Sequence, residues 1–375
     1  MCINIVPFEE LFEWQNKSSL KAGLGKQAGK YCFFICSDTV VKRFDEYLIN
    51  KEALIFGTGG KASIHYCNQP FAYSTDCAVA CKKNDNIILK YIYYYFRQKN
   101  LRILQDGFKG SGLQHISKSI IGKIAVPVPP LEEQRRIVAK IEELFSLLES
   151  GTESLQKAKG QLAAYRQAVL KEAFADIKET TVIKNISSLV TSGSRGWSKY
   201  YSDSGEIFVR IGNLTRTGIE INLDKPQYVS VPNNAEGSRS MLKTGDVLIS
   251  ITADLGSIGL VTEKIGKAYI NQHIALVRFT NKKQSKFMAW YLRGQAGQKE
   301  LLKNKRGAGK VGLGLDDIRQ SKVPVVTDSE AELITVEIES RLSVCDNVEK
   351  TIETALEKSE ALRQSILRQA FEGGL

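Results

Sequence analysis

The chain has 375 residues, 43% of them apolar and 25% charged, with a net charge of +11. That length suits two or three domains, and the composition is ordinary for a soluble protein. No run reaches the ~18 apolar residues of a membrane span, and the start, MCINIVPFEELFEW, has neither the basic region nor the long apolar core of a signal peptide, so a cytoplasmic chain without membrane contact is expected.

Residues 1–127 read as a first globular segment. Phe8 to Trp14 predicts a short amphipathic helix. Ser18 to Lys30, rich in glycine and lysine, predicts an exposed loop. Tyr31 to Ile35, Ala53 to Phe56 and Ala78 to Cys81 predict strands, and Gly57-Thr58-Gly59-Gly60-Lys61 follows one of them directly. Leu89 to Arg97 predicts a helix, and Gly107 to Gly112 a second glycine loop. Cys32 and Cys36 share a spacing with Cys77 and Cys81 that could serve zinc. Both pairs lie in apolar, strand-like runs where cysteine acts as a small buried hydrophobe, and no metal is expected.

Residues 128–177 change character. Proline at a first helical position gives up an amide that had no partner, so Pro129 and Pro130 can open a helix. Glu132 and Glu133 then suit the positive end of its dipole. Ile137, Ile141, Leu144, Leu148, Leu155, Ala158, Leu162, Tyr165 and Val169 recur at alternating four- and three-residue steps, broken only near Gly151. That period predicts a coiled-coil seam. A helix from Leu131 to Ala175 would run about 68 Å at 1.5 Å per residue.

The chain then repeats itself. Residues 178–326 form a second globular segment and 327–375 a second helix. At an offset of 197, Val126-Pro127-Val128 meets Val323-Pro324-Val325, and YRQAVLKEAF from Tyr165 meets LRQSILRQAF from Leu362. The second seam reads Ile334, Ile338, Cys345, Val348, Ile352, Ala355, Leu362 and Ile366, with Arg341 and Ser359 as polar exceptions. Ser329 and Glu332 have capping-box spacing. Phe287 to Arg293 matches Tyr91 to Arg97, and Asp246 to Ser250 stands where Ala53 to Gly57 stood. Neither helix can bury its seam alone, so an antiparallel pair within one chain is the simplest solution. The expected architecture is α+β: two mixed globular domains joined by two long antiparallel coiled-coil helices, as a pseudo-twofold internal repeat with a domain at each end.

Charge follows the same division. Residues 131–176 carry a net −1 and residues 328–375 a net −6, which leaves +18 for the rest of the chain. Basic globular segments on neutral-to-acidic helices are the electrostatic footprint of a nucleic-acid binder.

At this point the chain resembles the specificity subunit of type I restriction–modification enzymes. IAVPVPPLEEQRRIVAKIEELF, followed by AYRQAVLKEAF, is similar to the family's central region, and RQSILRQAFEGGL to its C-terminal one. The tandem order of recognition domain and conserved helix, twice, covers nearly the whole chain. The family's longer lead into its first domain is missing here. The resemblance implies that each globular domain reads one half of an asymmetric, bipartite site on double-stranded DNA. It implies that the paired helices set the spacing and dock two modification subunits that methylate adenine. Restriction subunits with translocase activity would complete the complex, and the chain itself would hold no catalytic residue and no cofactor.

The residues support a non-catalytic reading on their own. No Asn/Asp-Pro-Pro-aromatic motif is present to hold a flipped adenine, and no G-x-x-x-x-G-K-[ST] run exists. Phe56 to Gly60 has the wrong spacing for a methyltransferase glycine loop. His65, His115 and His273 are scattered and read as isolated structural or surface residues. For DNA, arginine can pair with guanine and lysine can neutralise phosphate. The candidates are Lys21, Lys26, Lys30, Lys61 and Lys109 in the first domain. In the second they are Arg195, Trp197, Lys199, Arg210, Asn213, Arg216, Lys303, Lys305, Arg306 and Lys310. Three rivals stay open: a two-headed DNA-binding scaffold unconnected to methylation, a self-contained methyltransferase, and a coiled-coil interaction protein with basic heads.

Overall fold

The structure is a computed structural model that describes residues 4–231, 240–303 and 312–374. It divides into two compact units: Met1–Gln156 with Ile352–Leu375, and Lys157–Thr351.

The first unit runs β1 (Asn4–Pro7), α1 (Phe8–Leu11), β2 (Phe12–Trp14), β3 (Tyr31–Phe34), β4 (Val41–Phe44), β5 (Ala53–Gly57), β6 (Ser63–Cys67), β7 (Phe71–Tyr73), β8 (Cys77–Lys82), α2 (Leu89–Arg97), α3 (Arg102–Gln105), α4 (Lys118–Gly122) and β9 (Ala125–Val128). It ends in the first part of α5 (Leu131–Ala173). β5 lies inside the sheet β2-β8-β5-β6, with antiparallel neighbours on both sides. Its apolar run reads as continuous because both faces are covered. Leu54 and Phe56 point with Ala78 and Ala80 into a core under α2, while Ile55 joins Val79, Cys77 and Phe71 on the other face. A second sheet, β4-β3-β7, holds a parallel β3–β7 pair.

Phe8 to Trp14 departs from the expected single helix. The helix lasts four residues, and Phe12–Trp14 turns extended to pair with the edge of β8. Tertiary packing overrides the local pattern: the rings of Phe8, Trp14 and Phe56 pack together, at 5.6 and 5.4 Å from Phe8. Burial is full at Cys77 and Cys81 and partial at Cys32 and Cys36. It pushes the Cys77 thiol up to about 12. Because the thiolate is the nucleophile, Cys77 is expected to resist iodoacetamide at pH 8 in the native chain and to react once unfolded, as read by peptide mass mapping.

The second unit repeats the plan through β10 (Thr180–Val182), α6 (Ile183–Ile186), β11 (Ser187–Ser192), β12 (Tyr201–Ser202), β13 (Glu206–Val209), β14 (Gln227–Val229), β15 (Val247–Ser250), β16 (Ile258–Leu260), β17 (Ala268–Ile270), β18 (Ile274–Phe279), α7 (Ser285–Arg293), α8 (Gln295–Leu302), α9 (Leu315–Arg319), β19 (Lys322–Pro324) and α10 (Asp328–Glu372). The sheet β11-β18-β15-β16 answers β2-β8-β5-β6, and the parallel pair β13–β17 answers β3–β7. β10 pairs with β19 as β1 does with β9.

Within each unit α5 and α10 pack antiparallel. In the first, Ile137, Ile141 and Phe145 share a core with Ile366, Leu367 and Ala370. Arg363 lies 4.3 Å over the Phe145 ring and reaches Glu149 at 2.7 Å, and the Thr152 and Ser359 hydroxyls meet at 3.1 Å. In the second, Val169, Leu170 and Phe174 share a core with Ala331, Ile338 and Leu342. Arg166 bonds Asp346 at 2.6 Å and Glu349 at 3.0 Å.

The seam positions are buried unevenly along both helices. Ile137, Ile141, Val169, Ile338, Cys345, Ile352 and Ile366 are buried, and Leu144, Leu148, Leu155, Ala158, Leu162, Ile334 and Ala355 are half-buried. Tyr165, Val348 and Leu362 instead face outward, at 45%, 41% and 49% exposed. Leu342 takes the buried place next to Arg341, which spreads over the Tyr165 ring at 5.6 Å. Each of the three lies within four residues of a buried seam position (Val169, Ile352 or Ile366), so the outward turn is local to the side chain and not an accumulated drift of the helix. The cap is shifted too. Thr327 and Glu330, not Ser329 and Glu332, form the reciprocal box, at 2.8 and 3.3 Å. Among the described residues no helix is long and apolar enough to cross a membrane.

Candidate nucleic-acid interface

At one end of the central sheet of the first unit, four loops are sewn together by backbone bonds. The glycine loop after β5 meets the loop before α4, with Gly60 N donating to Gln114 O (2.8 Å) and Ile116 N to Thr58 O (3.0 Å). Thr58 N also donates to Asp76 O (2.9 Å), and Thr75 N to Leu20 O (2.8 Å). The glycine at the end of β5 is required by crowding: a Cβ on Gly57 would sit 2.1 Å from the Ser63 hydroxyl. Gly59 N donates to Cys36 Sγ at 3.2 Å, and His115 Nδ1 lies 3.2 Å from Thr58 O. Lys21, Lys61 and Lys109 are exposed on these loops. Lys26 and Lys30 are elsewhere. Lys26 pairs with Asp45 (2.6 Å) beside β4, and Lys30 lies 5.3 Å over the Tyr31 ring.

The second unit builds the same arrangement. Leu313 N donates to Ile251 O (3.0 Å), where Ile116 donated to Thr58, and Ile251 N donates to His273 O (3.0 Å). His273 is held at both ring nitrogens, by Thr252 Oγ1 and Gln272 Nε2, each at 2.8 Å. Gly193 N donates to Asn271 O (3.1 Å).

The basic candidates of this unit separate by environment. Arg195 and Lys199 are exposed on the loop that Gly193 opens, with Lys199 4.7 Å from the Tyr200 ring centre. Arg216 lies across Asp254, Nε to Oδ1 at 2.8 Å, and bonds Leu255 O at 2.7 Å. Arg210 is half-buried, and Lys303 pairs with Glu300 at 2.6 Å. Two candidates are not on the surface. Trp197 is 4% exposed in a small core with Phe208 and Tyr269. The apolar indole is worth more inside than out. Asn213 is 7% exposed and braces its own loop, accepting from Arg210 N and donating to Asn222 O, both at 2.8 Å. Lys305, Arg306 and Lys310 lie outside the described residues.

Sequence reasoning missed Gln114, Asp254, Asn271 and Gln272, all on the sewn loops. Isolated polar residues in irregular stretches carry no periodicity, and only the flanking strand ends mark them. Among the described residues no three of His, Cys, Asp and Glu gather as a metal site would need.

Gly193 gives a direct test of the sewing. A Cβ there would meet Ile270 O at 2.0 Å, whereas at Gly212 it would meet nothing within 4 Å. Gly193→Ala is expected to cost about 1–3 kcal/mol by overpacking, with Gly212→Ala close to neutral, as read from urea unfolding.

A family model described as type I restriction modification DNA specificity domain matches residues 3–159 and 201–358. The EcoBI specificity subunit of Escherichia coli is 24% identical, over 88% of this chain and 75% of its own. The MjaVIII specificity subunit of Methanocaldococcus jannaschii is 21% identical, over 88% and 80%. Among solved structures, a chain from a study of type I R-M complex assembly and conformational transition superposes with a TM-score of 0.73 at 16% identity, over 97% of this chain and 98% of that one. The HsdS subunit from Thermoanaerobacter tengcongensis gives 0.58 at 18% identity, over 100% and 97%. At those identities the likeness to the solved structures is one of fold.

Proposed function

The chain belongs to the family of type I restriction–modification DNA specificity subunits, and we propose that each of its two units reads one half of a bipartite, asymmetric duplex site through its sewn loops. The observation that carries this is the repetition of one scaffold with different side chains. Lys21, Lys61 and Lys109 stand on the loops of the first unit, and Arg195 and Lys199 on those of the second. The same docking surface with unlike polar groups suits two unlike half-sites, because docking positions the side chains and the side chains choose the bases.

The helix pair docks two adenine-methylating modification subunits, and restriction subunits complete the assembly. This is supported by apolar side chains that the pair leaves in solvent. Leu333, Val336 and Val344 on α10 are 71%, 59% and 61% exposed and recur along one face of the helix. The chain supplies specificity and its partners the chemistry, in the cytoplasm.

Methylome sequencing of cells that carry this chain with its modification partner tests the reading. A single split adenine-methylated sequence is expected. Arg195→Ala should relax only the half read by the second unit, and Lys61→Ala with Lys109→Ala should weaken only the other. Relaxation of both halves by either change would refute the assignment of one half to each unit.

A further inference from the structure

Arg97 and Arg293 occupy the same place in the two units, the last residue of α2 and of α7. Their surroundings differ in sign. In the first unit the loop after β3 supplies Asp38, which takes Arg97 Nη1 at 2.6 Å. In the second, the loop after β13 supplies Arg216. That guanidinium is already committed to Asp254, whose other oxygen accepts from Ser257 Oγ at 2.7 Å.

Arg293 is left over. It is half-buried, its Nε is shut off from solvent, and that Nε has no hydrogen-bond partner. The carbonyls of this helix end serve the backbone and amide that follow. Trp290 O and Tyr291 O take Gly294 N, both at 3.0 Å, and Leu292 O takes Gln298 Nε2 at 2.7 Å. The same Gln298 amide reaches Gly256 O at 2.7 Å, which ties this helix end to the 251–257 loop of the sewn cluster. Burial and the Arg216 charge both push the Arg293 guanidinium below its usual range. Arginine does not escape by losing its proton, so a half-buried guanidinium without a carboxylate is left with its two outer nitrogens for an anion from outside.

We propose that Arg293, beside Arg216, is an anion site that takes one backbone phosphate of the DNA bound by the second unit. The inference rests on the DNA-reading function above and adds to it a built phosphate contact that the first unit lacks. The two terminal nitrogens of the guanidinium match two phosphate oxygens, and the residue is carried on a helix end rather than on a free loop. Its role is to fix the register of the duplex on the second unit, while the exposed loop residues meet the bases.

The test uses the complex of this chain with its modification subunits and a duplex carrying the methylated site. Arg293→Gln is expected to weaken binding on the order of tenfold, as loss of a charged hydrogen bond does, and to flatten the slope of log affinity against log salt by about 0.9. Methylphosphonate placed at each phosphate in turn should reveal one position, in one half-site, that the parent complex needs and Arg293→Gln no longer senses. Arg293→Lys, which keeps the charge, should retain the slope. Folding provides a second readout. Arg293→Gln removes an uncompensated charge and should melt no lower than the parent chain, whereas Arg97→Gln strands Asp38 and should melt lower. If Arg293→Gln binds the duplex with the parent's slope and phosphate profile, the site is refuted while the DNA-reading function stands. If its defect is in recruiting the modification subunit, the anion is a protein carboxylate and the phosphate assignment fails. If the parent complex binds no duplex, both readings fail together.

Discussion

Replacing Asp246 with alanine is expected to destabilise the chain by about 3 kcal/mol, because it leaves one charge of a buried pair unanswered. Asp246 is 1% exposed at the start of β15. Its two oxygens take Arg278 Nε and Nη2, each at 2.7 Å, and Oδ2 also accepts from Lys243 N at 2.7 Å. The carboxylate thereby fastens the turn before β15 to strand β18, two places that sequence alone does not connect. Alanine removes the bidentate acceptor and opens a void, and Arg278 keeps its charge. Urea unfolding of the full chain should show a lower midpoint for the second unit's transition. The double change Asp246→Leu with Arg278→Met should recover much of the loss, because a well-packed apolar pair is often as stable as a buried ionic one. If the single change has no effect, the pair does not hold the turn.

Phe8→Ala is expected to cost about 3–5 kcal/mol, the range for deleting a buried aromatic ring. Phe8 has no exposed surface. Its ring stacks on Phe12 at 4.3 Å and meets Trp14, Phe56 and Phe96 edge-on or tilted at 5.6, 5.4 and 5.7 Å. These four contacts join the entry helix, β2, β5 and α2, so the cavity cannot collapse onto a single neighbour. Ile5 lies close by in sequence but is 71% exposed, and Ile5→Ala should stay within about 0.5 kcal/mol. Near-ultraviolet circular dichroism of the aromatic bands, together with the unfolding midpoint, separates the two outcomes.

Much of this fold is legible in the residues because it is written in periods. The long helices, the strand-helix core of each unit and the duplication all come from repeating apolar spacings, which tertiary packing then respects. Where a period is short or strict, the structure departs from it. Phe12–Trp14 is too brief to choose between helix and strand until β8 offers an edge. Val348 and Leu362 fit the heptad on paper but face outward beside buried Ile352 and Ile366.

The candidate interface was only partly legible. Glycine loops after strands mark where the backbone turns, so the exposed loop positions of Lys61 and Lys109 can be read from the residues. Which charges stay available was not, because Asp254 and Asp38 act on residues far away in the chain: Arg216 lies 38 positions from its carboxylate and Arg97 lies 59. Trp197 misled because an aromatic beside basic residues has the same composition whether it stacks on a base or fills a core.

The composition of the first unit has a bearing on synthesis. Ile366, Leu367 and Ala370 complete a core whose other members begin at Phe8. The core around Phe8 must therefore wait, partly open, until the ribosome has delivered residues 366–370. Chains cut short after Thr351 would lose packing at the front of the molecule, and a holding chaperone would find its client there.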